Sequence, residues 1–90
     1  MVISGLVQGV SFRASMKAAA IRFGVDGWVT NRDDGAVEAL VQGEEAGVAK
    51  LLAWARMGPP GAEVLSLDRE TLESCPPQRG FHIIIRGSAR

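Results

Sequence analysis

A single cysteine, Cys75, in a chain of 90 residues excludes an internal disulfide and any metal site built on paired cysteines. It stands in the proline-rich stretch "ESCPPQRG" with no histidine beside it, so a catalytic thiol is disfavoured. The one histidine, His82, alternates with Phe81 and Ile83 and has no partner in sequence for proton relay or metal binding; it reads as a surface or edge-strand residue. Net charge is lacking too. Ten basic side chains, eight of them arginine, are cancelled by ten acidic ones and are scattered along the chain. Binding to a nucleic-acid backbone needs a clustered cationic excess, so no such partner is expected. No apolar run approaches the roughly 20 residues that span a bilayer, and "MVISGLVQGV" lacks the basic start of a secretory leader. The missing leader and membrane span lead us to expect a cytoplasmic protein without a membrane partner, and a monomer is expected.

What is present is a globular composition, 47% hydrophobic and 22% charged. A chain of this length buries roughly 60% of its unfolded surface and supports one core. With no repeat, low-complexity tract or linker, residues 1–90 read as a single domain. Val2, Ile3, Leu6 and Val7 suggest a short, largely buried strand closed by Gln8-Gly9. From Ser11 the period becomes helical: Phe12, Met16, Ala19 or Ala20, and Phe23 share one face, and Gly24 stops a helix over 12–23. Two alternating runs, Val25 to Asn31 and "AVEALVQ", flank the turn chemistry of "NRDDG" and predict a β-hairpin. A second helix begins near Glu44, carries Val48, Leu51, Leu52 and Ala55 on its apolar face, and ends at Gly58-Pro59-Pro60. "AEVLSLD" and "FHIIIR" read as strands four and five, joined by the loop "RETLESCPPQRG".

The order is β-α-β-β-α-β plus a C-terminal strand, which predicts an α+β, ferredoxin-like α/β sandwich: an antiparallel sheet with two helices on one face. In that plan strands one and two run the same way with strand three between them. The segments that follow them therefore emerge at one edge, two interstrand steps or about 10 Å apart. Arg13 and Asn31 are expected to converge there on one small ligand.

The segment Gln8 to Phe12 is a turn leading into a helix N-terminus, where amides without intrahelical partners make an anion site. Gly9 lets the backbone come close to a ligand. Arg13 adds a permanent charge whose forked donors match two oxygens of a phosphate. On spacing alone, a plain turn followed by a solvated first-turn arginine is the reading to prefer.

The residues decide more when taken together. "SGLVQGVSFR" and "GVDGWVTNRDDGAVEALVQG" resemble the two signature segments of the acylphosphatase family. The later "ARMGPPGAEV" and "FHI" are similar to its G-P-x-x-A-x-V stretch and closing F-x-I strand, so the resemblance covers nearly the whole chain. It implies the ferredoxin-like fold and metal-independent, cofactor-free hydrolysis of acyl phosphates to a carboxylate and inorganic phosphate, with phosphate as product and inhibitor. It also implies that Arg13 is the phosphate-binding catalytic arginine, Asn31 the residue that orients water, and Gln8, Gly9, Val10, Ser11 and Phe12 the phosphate cradle.

Three departures stand out against that family. Ser11 replaces a usual glycine, which implies a cradle backbone that avoids glycine-only conformations and a hydroxyl available to cap the helix. Leu6 stands where a basic residue is common and removes one charge from near the loop. The stretch before "SGLVQGV" is short, so a brief first strand and some loss of stability are expected. A non-catalytic module that binds phosphate through the same loop is the alternative these departures support. A third reading, one domain of a carbamoyl-transferring maturation protein, is disfavoured because the chain ends at Arg90 without zinc-type cysteines. Other candidates are weaker: Asp33 and Asp34 read as turn formers rather than metal ligands, Trp28 and Trp54 as packing residues, and Glu44 and Glu45 as a solvated helix start.

Overall fold

Strand alternation interrupted twice by a helical period becomes, in the computed structural model of residues 1–85, the element order β1 (Val2–Leu6), α1 (Phe12–Phe23), β2 (Asp26–Asn31), β3 (Val37–Gln42), α2 (Glu45–Met57), β4 (Glu63–Asp68) and β5 (Phe81–Ile83). The helix expected over 12–23 forms over those residues, and it forms for the expected reason. Phe12, Met16, Ala19 and Ala20 are its buried residues, one stripe at helical spacing. Its end is a Schellman closure: Val25 N–H donates to Ala20 O at 2.9 Å and Gly24 N–H to Ile21 O at 3.3 Å. Helix α2 buries Leu51, Leu52 and Ala55 and closes where Gly58 N–H donates to Trp54 O at 2.8 Å, just before the two prolines.

The sheet order is β4-β1-β3-β2-β5. Strand β3 is antiparallel to both β1 and β2, so those two run in the same direction on either side of it. Helix α1 packs on β2 and β5, α2 packs on β4, and the helices touch each other, which puts both on one face of the sheet. The core between the layers is built from Ile3, Val29, Val37 and Ala39 of the sheet and from Phe12, Met16, Ala20, Leu51 and Ala55 of the helices.

The expectation of an antiparallel sheet needs one correction, because β5 pairs with β2 in parallel and the sheet is mixed. After β4 at one edge the chain crosses one end of the sheet through residues 69–80 and re-enters at the far edge. It then points the same way as β1 and β2. The last strand is also shorter than the expected 81–86. Its ladder ends at Ile83, and the next carbonyl, Ile84 O, is taken by the buried Thr30 hydroxyl at 2.6 Å. Arg86, the end of that expected strand, lies outside the described residues, as does the remainder of the domain expected over 1–90. The other boundaries move by a residue: β1 stops at Leu6, and β4 starts at Glu63.

Close approach at one glycine sets the β2–β3 pairing. Gly27 has φ 142°, and a Cβ there would lie 1.8 Å from Leu40 O. No side chain fits at that position, so the two strands approach at Gly27 only because it has none.

Candidate active site

The loop between β1 and α1 is held at both ends by the core. Val7 and Phe12 are 1% and 2% exposed, and Phe12 meets Trp54 edge to face with ring centroids 5.4 Å apart. Burial of one such side chain stabilises by roughly 1.5–3 kcal/mol, so residues 8–11 form a short span between two anchors. Within it Gly9 (φ 78°) and Ser11 (φ 60°) are both left-handed, while Val10 between them is not. Alternation of this kind turns successive N–H groups toward a common side, the geometry of an anion nest.

The first hydrogen bond of α1 to reach back into the loop runs from Ser15 N–H to Ser11 O at 3.0 Å. The amides of Gly9 to Ala14 therefore donate to no carbonyl among the described residues. They lie at the positive end of the helix dipole with no acidic residue in the first turn.

Ser11 meets one expectation and departs from another. It is the one described non-glycine residue at positive φ, but φ 60°, ψ 30° lies in the left-handed α region that L-residues enter at a cost, so glycine-only conformations are avoided. Its hydroxyl makes no capping bond, because capping by a side chain requires an extended backbone at that position and Ser11 is left-handed. Leu6, at the position where the family commonly carries a basic residue, is 59% exposed beside the loop.

Val7, Gln8, Gly9, Ser11, Phe12, Arg13, Asn31, Ile83 and Ile85 border a cleft of about 450 Å³. The sheet order brings Arg13 and Asn31 together as expected: β1 and β2 end at the same edge with one strand between them. Arg13 is half-buried in the first turn of α1 and has no carboxylate partner among the described residues. Asn31 is the last residue of β2, half-buried, opposite Val37. Val10, expected in the cradle, belongs to the same loop and packs against the core, but it does not border the cleft.

The hairpin beyond Asn31 is tied off locally. Arg32 N–H donates to Ala36 O at 2.8 Å, Ala36 N–H to Asp34 Oδ1 at 3.1 Å, and Arg32 Nη2 to Asp34 Oδ2 at 2.9 Å. Asp34 is thus a turn former. The amide of Ala36 first, and then the Arg32 guanidinium, hold its carboxyl below the usual carboxylate range. Among the described residues no group of three or more His, Cys, Asp or Glu is placed to hold a metal ion. Cys75 accepts a hydrogen bond from Gln42 Nε2 at 3.1 Å, far from this cleft, and His82 is exposed on the edge strand β5. Trp28 is half-buried within β2.

Two contributors were not visible from the sequence. One is the apolar wall made by Ile83 and Ile85, which depends on β5 lying beside β2. The other is the Gln8 side chain, whose Nε2 donates to Arg32 O at 2.8 Å and Ala36 O at 3.0 Å. Its only signal was a long polar side chain placed between a buried strand and a glycine.

A mixed sheet under two helices, with the β1–α1 loop, Arg13 and Asn31 bordering one cleft at the sheet edge, defines a small ferredoxin-like domain. Comparison with known proteins makes the family specific. The family model described as Acylphosphatase matches residues 1–83. An acylphosphatase of Thiobacillus denitrificans is 59% identical over 71 residues, 79% of this chain and 80% of that one. One from Pyrobaculum islandicum is 57% identical over 85 residues, 93% of this chain and 90% of that one. The crystal structure of acylphosphatase from Bacillus subtilis superposes with a TM-score of 0.89 at 32% identity, over 92% of each chain. The chain belongs to the acylphosphatase family, and its activity is the hydrolysis of an acyl phosphate to a carboxylate and inorganic phosphate.

Proposed function

We propose that this hydrolysis takes place in the cleft between the β1–α1 loop and Asn31, with residues 8–13 holding the phosphoryl group. The observation that carries the reading is the convergence of three features on one cleft: amides and the Arg13 guanidinium with no partner among the described residues, and the carboxamide of Asn31. The backbone of Gln8, Gly9, Ser11 and Phe12, the loop residues that border the cleft, cradles the phosphoryl oxygens. Arg13 binds two of them through its fork and stabilises the charge that spreads over them as the reaction proceeds.

Asn31 holds a water in line with the departing carboxylate. The water oxygen bonds to phosphorus, the bond from phosphorus to the acyl oxygen breaks, and its electron pair leaves with the carboxylate. A phosphoryl oxygen of the substrate takes the water's proton, so no protein base is required. The leaving group is already a stable anion, and positioning with charge stabilisation suffices. The reaction in this reading uses neither metal nor cofactor. The chain works as a monomeric cytoplasmic domain over residues 1–90, with acyl phosphate and inorganic phosphate as its partners and with no nucleic acid or membrane.

Steady-state hydrolysis of benzoyl phosphate in EDTA tests this. Wild-type protein turns over unimpaired and is inhibited by phosphate. Arg13→Ala loses roughly 1.5–3 kcal/mol for each charge-assisted bond removed, visible in KM and kcat together. Asn31→Ala lowers kcat and leaves phosphate inhibition intact. Dependence on added metal, or full kcat in Asn31→Ala, would overturn the corresponding part of the reading.

A further inference from the structure

Strand β1 is tied to β3 over only two register pairs, Val2 with Glu38 and Ile3 with Val37. Beyond Ile3 it turns away, and Gly5 and Leu6 pair only with β4 on the other side, after an irregularity between Ser4 and Gly5. Val37, the partner of Ile3, is also the partner of Asn31. The sheet thus stops joining β1 to the hairpin at the row that contains Asn31. The phosphate loop, which follows β1, is past the last such ladder bond.

One side chain crosses the gap. Gln8 Nε2 donates to Arg32 O at 2.8 Å and to Ala36 O at 3.0 Å. Both acceptors are carbonyls, which cannot donate, so the nitrogen side of the carboxamide must face them and both of its protons are used. The two carbonyls belong to the residues that close the hairpin, since Arg32 N–H also donates to Ala36 O. Arg32 is the residue immediately after Asn31.

We infer that Gln8 is a positioning residue for the hydrolysis: its carboxamide fixes the hairpin end against the phosphate loop and so sets Asn31 relative to Arg13 and the bound phosphoryl group. This inference rests on the role proposed above for Asn31. The Gln8 side chain does not touch substrate in this account; only its backbone belongs to the cradle. Loss of the clamp leaves the cradle amides and Arg13 able to bind phosphate but lets the water-holding carboxamide drift. Misplacement of a positioned group is felt in turnover far more than in binding.

The test is a double-mutant cycle of Gln8→Met with Asn31→Ala, read as kcat for benzoyl phosphate and as the inhibition constant of inorganic phosphate. Methionine keeps the length of the side chain and removes both donors. Gln8→Met is expected to lower kcat on the order of tenfold while phosphate inhibition stays within about twofold of wild type. Added to Asn31→Ala, the same change is expected to lower kcat no further, because the residue it positions is already gone. An equal fall in both backgrounds, no fall in either, or a parallel loss of phosphate binding would overturn the inference and leave Asn31 in its role. Full kcat in Asn31→Ala alone would instead remove the role of Asn31, and the positioning role with it. If Gln8→Met does not fold, Gln8→Glu carries the same cycle, since a carboxylate of equal length cannot donate to either carbonyl.

Discussion

Ser11 holds the phosphate loop in a conformation that its side chain disfavours, and replacement by glycine should make the protein more stable. Its backbone sits at φ 60°, ψ 30°, a region that costs an L-residue roughly 1–2 kcal/mol. The side chain is exposed and makes no capping bond, so nothing it does offsets that cost. Glycine occupies the region freely but returns roughly 0.5–1 kcal/mol to the unfolded chain as added freedom. Taken at the middle of both ranges, the difference predicts that Ser11→Gly stabilises by about 0.5–1 kcal/mol. For a domain of this size that is a rise of roughly 2–8 °C in Tm. Urea unfolding is the assay: the midpoint should move up with m unchanged. Ser11→Ala, which keeps the strain, should stay within about 0.5 kcal/mol of wild type. Because the cradle uses backbone amides, kcat and KM should hold their wild-type values in Ser11→Gly. A neutral or destabilised Ser11→Gly, or a Ser11→Ala as stable as the glycine variant, would refute the reasoning.

Asp34→Asn should lower Tm at neutral pH, by losing the carboxylate that accepts from Ala36 and Arg32. Its pKa is depressed in the folded protein, so its contribution is present above the unfolded carboxylate value of about 3.9 and is lost as pH falls through the lower folded value. The two Tm curves should therefore converge in acid, and curves that stay parallel would contradict this. Gly27→Ala places a Cβ 1.8 Å from Leu40 O at φ 142°, and should cost at least about 2 kcal/mol in urea unfolding. Arg13→Lys, which keeps the charge without the fork, should retain kcat/KM between those of wild type and Arg13→Ala.

Much of this molecule is local and could be read from residue order. Helix α1 is announced by Phe12, Met16, Ala19 and Ala20, and its end by Gly24; the hairpin turn is announced by Asp33, Asp34 and Gly35. Both depend on interactions within a few residues, which spacing records directly. The direction of β1 relative to β2 followed from the element order, and the meeting of Arg13 and Asn31 at one edge followed from that. The signature residues supplied the family, since each sits at a fixed distance from its neighbours along the chain.

Features that needed the folded chain involve partners far apart in sequence, where no spacing rule operates. The parallel placement of β5 beside β2 comes from the crossing made by residues 69–80, and it brings Ile83 and Ile85 to the cleft. The left-handed backbone at Ser11 is imposed by anchoring Val7 and Phe12 in the core on either side of a short loop. The bond from Gln8 to Arg32 and Ala36 spans 24 and 28 residues and exists because β1 leaves β3 just before the loop. Residue order thus laid out the helices, the hairpin and the residues proposed to bind the phosphoryl group, while packing between distant segments set the mixed sheet, the strained serine and the Gln8 bonds beside Asn31.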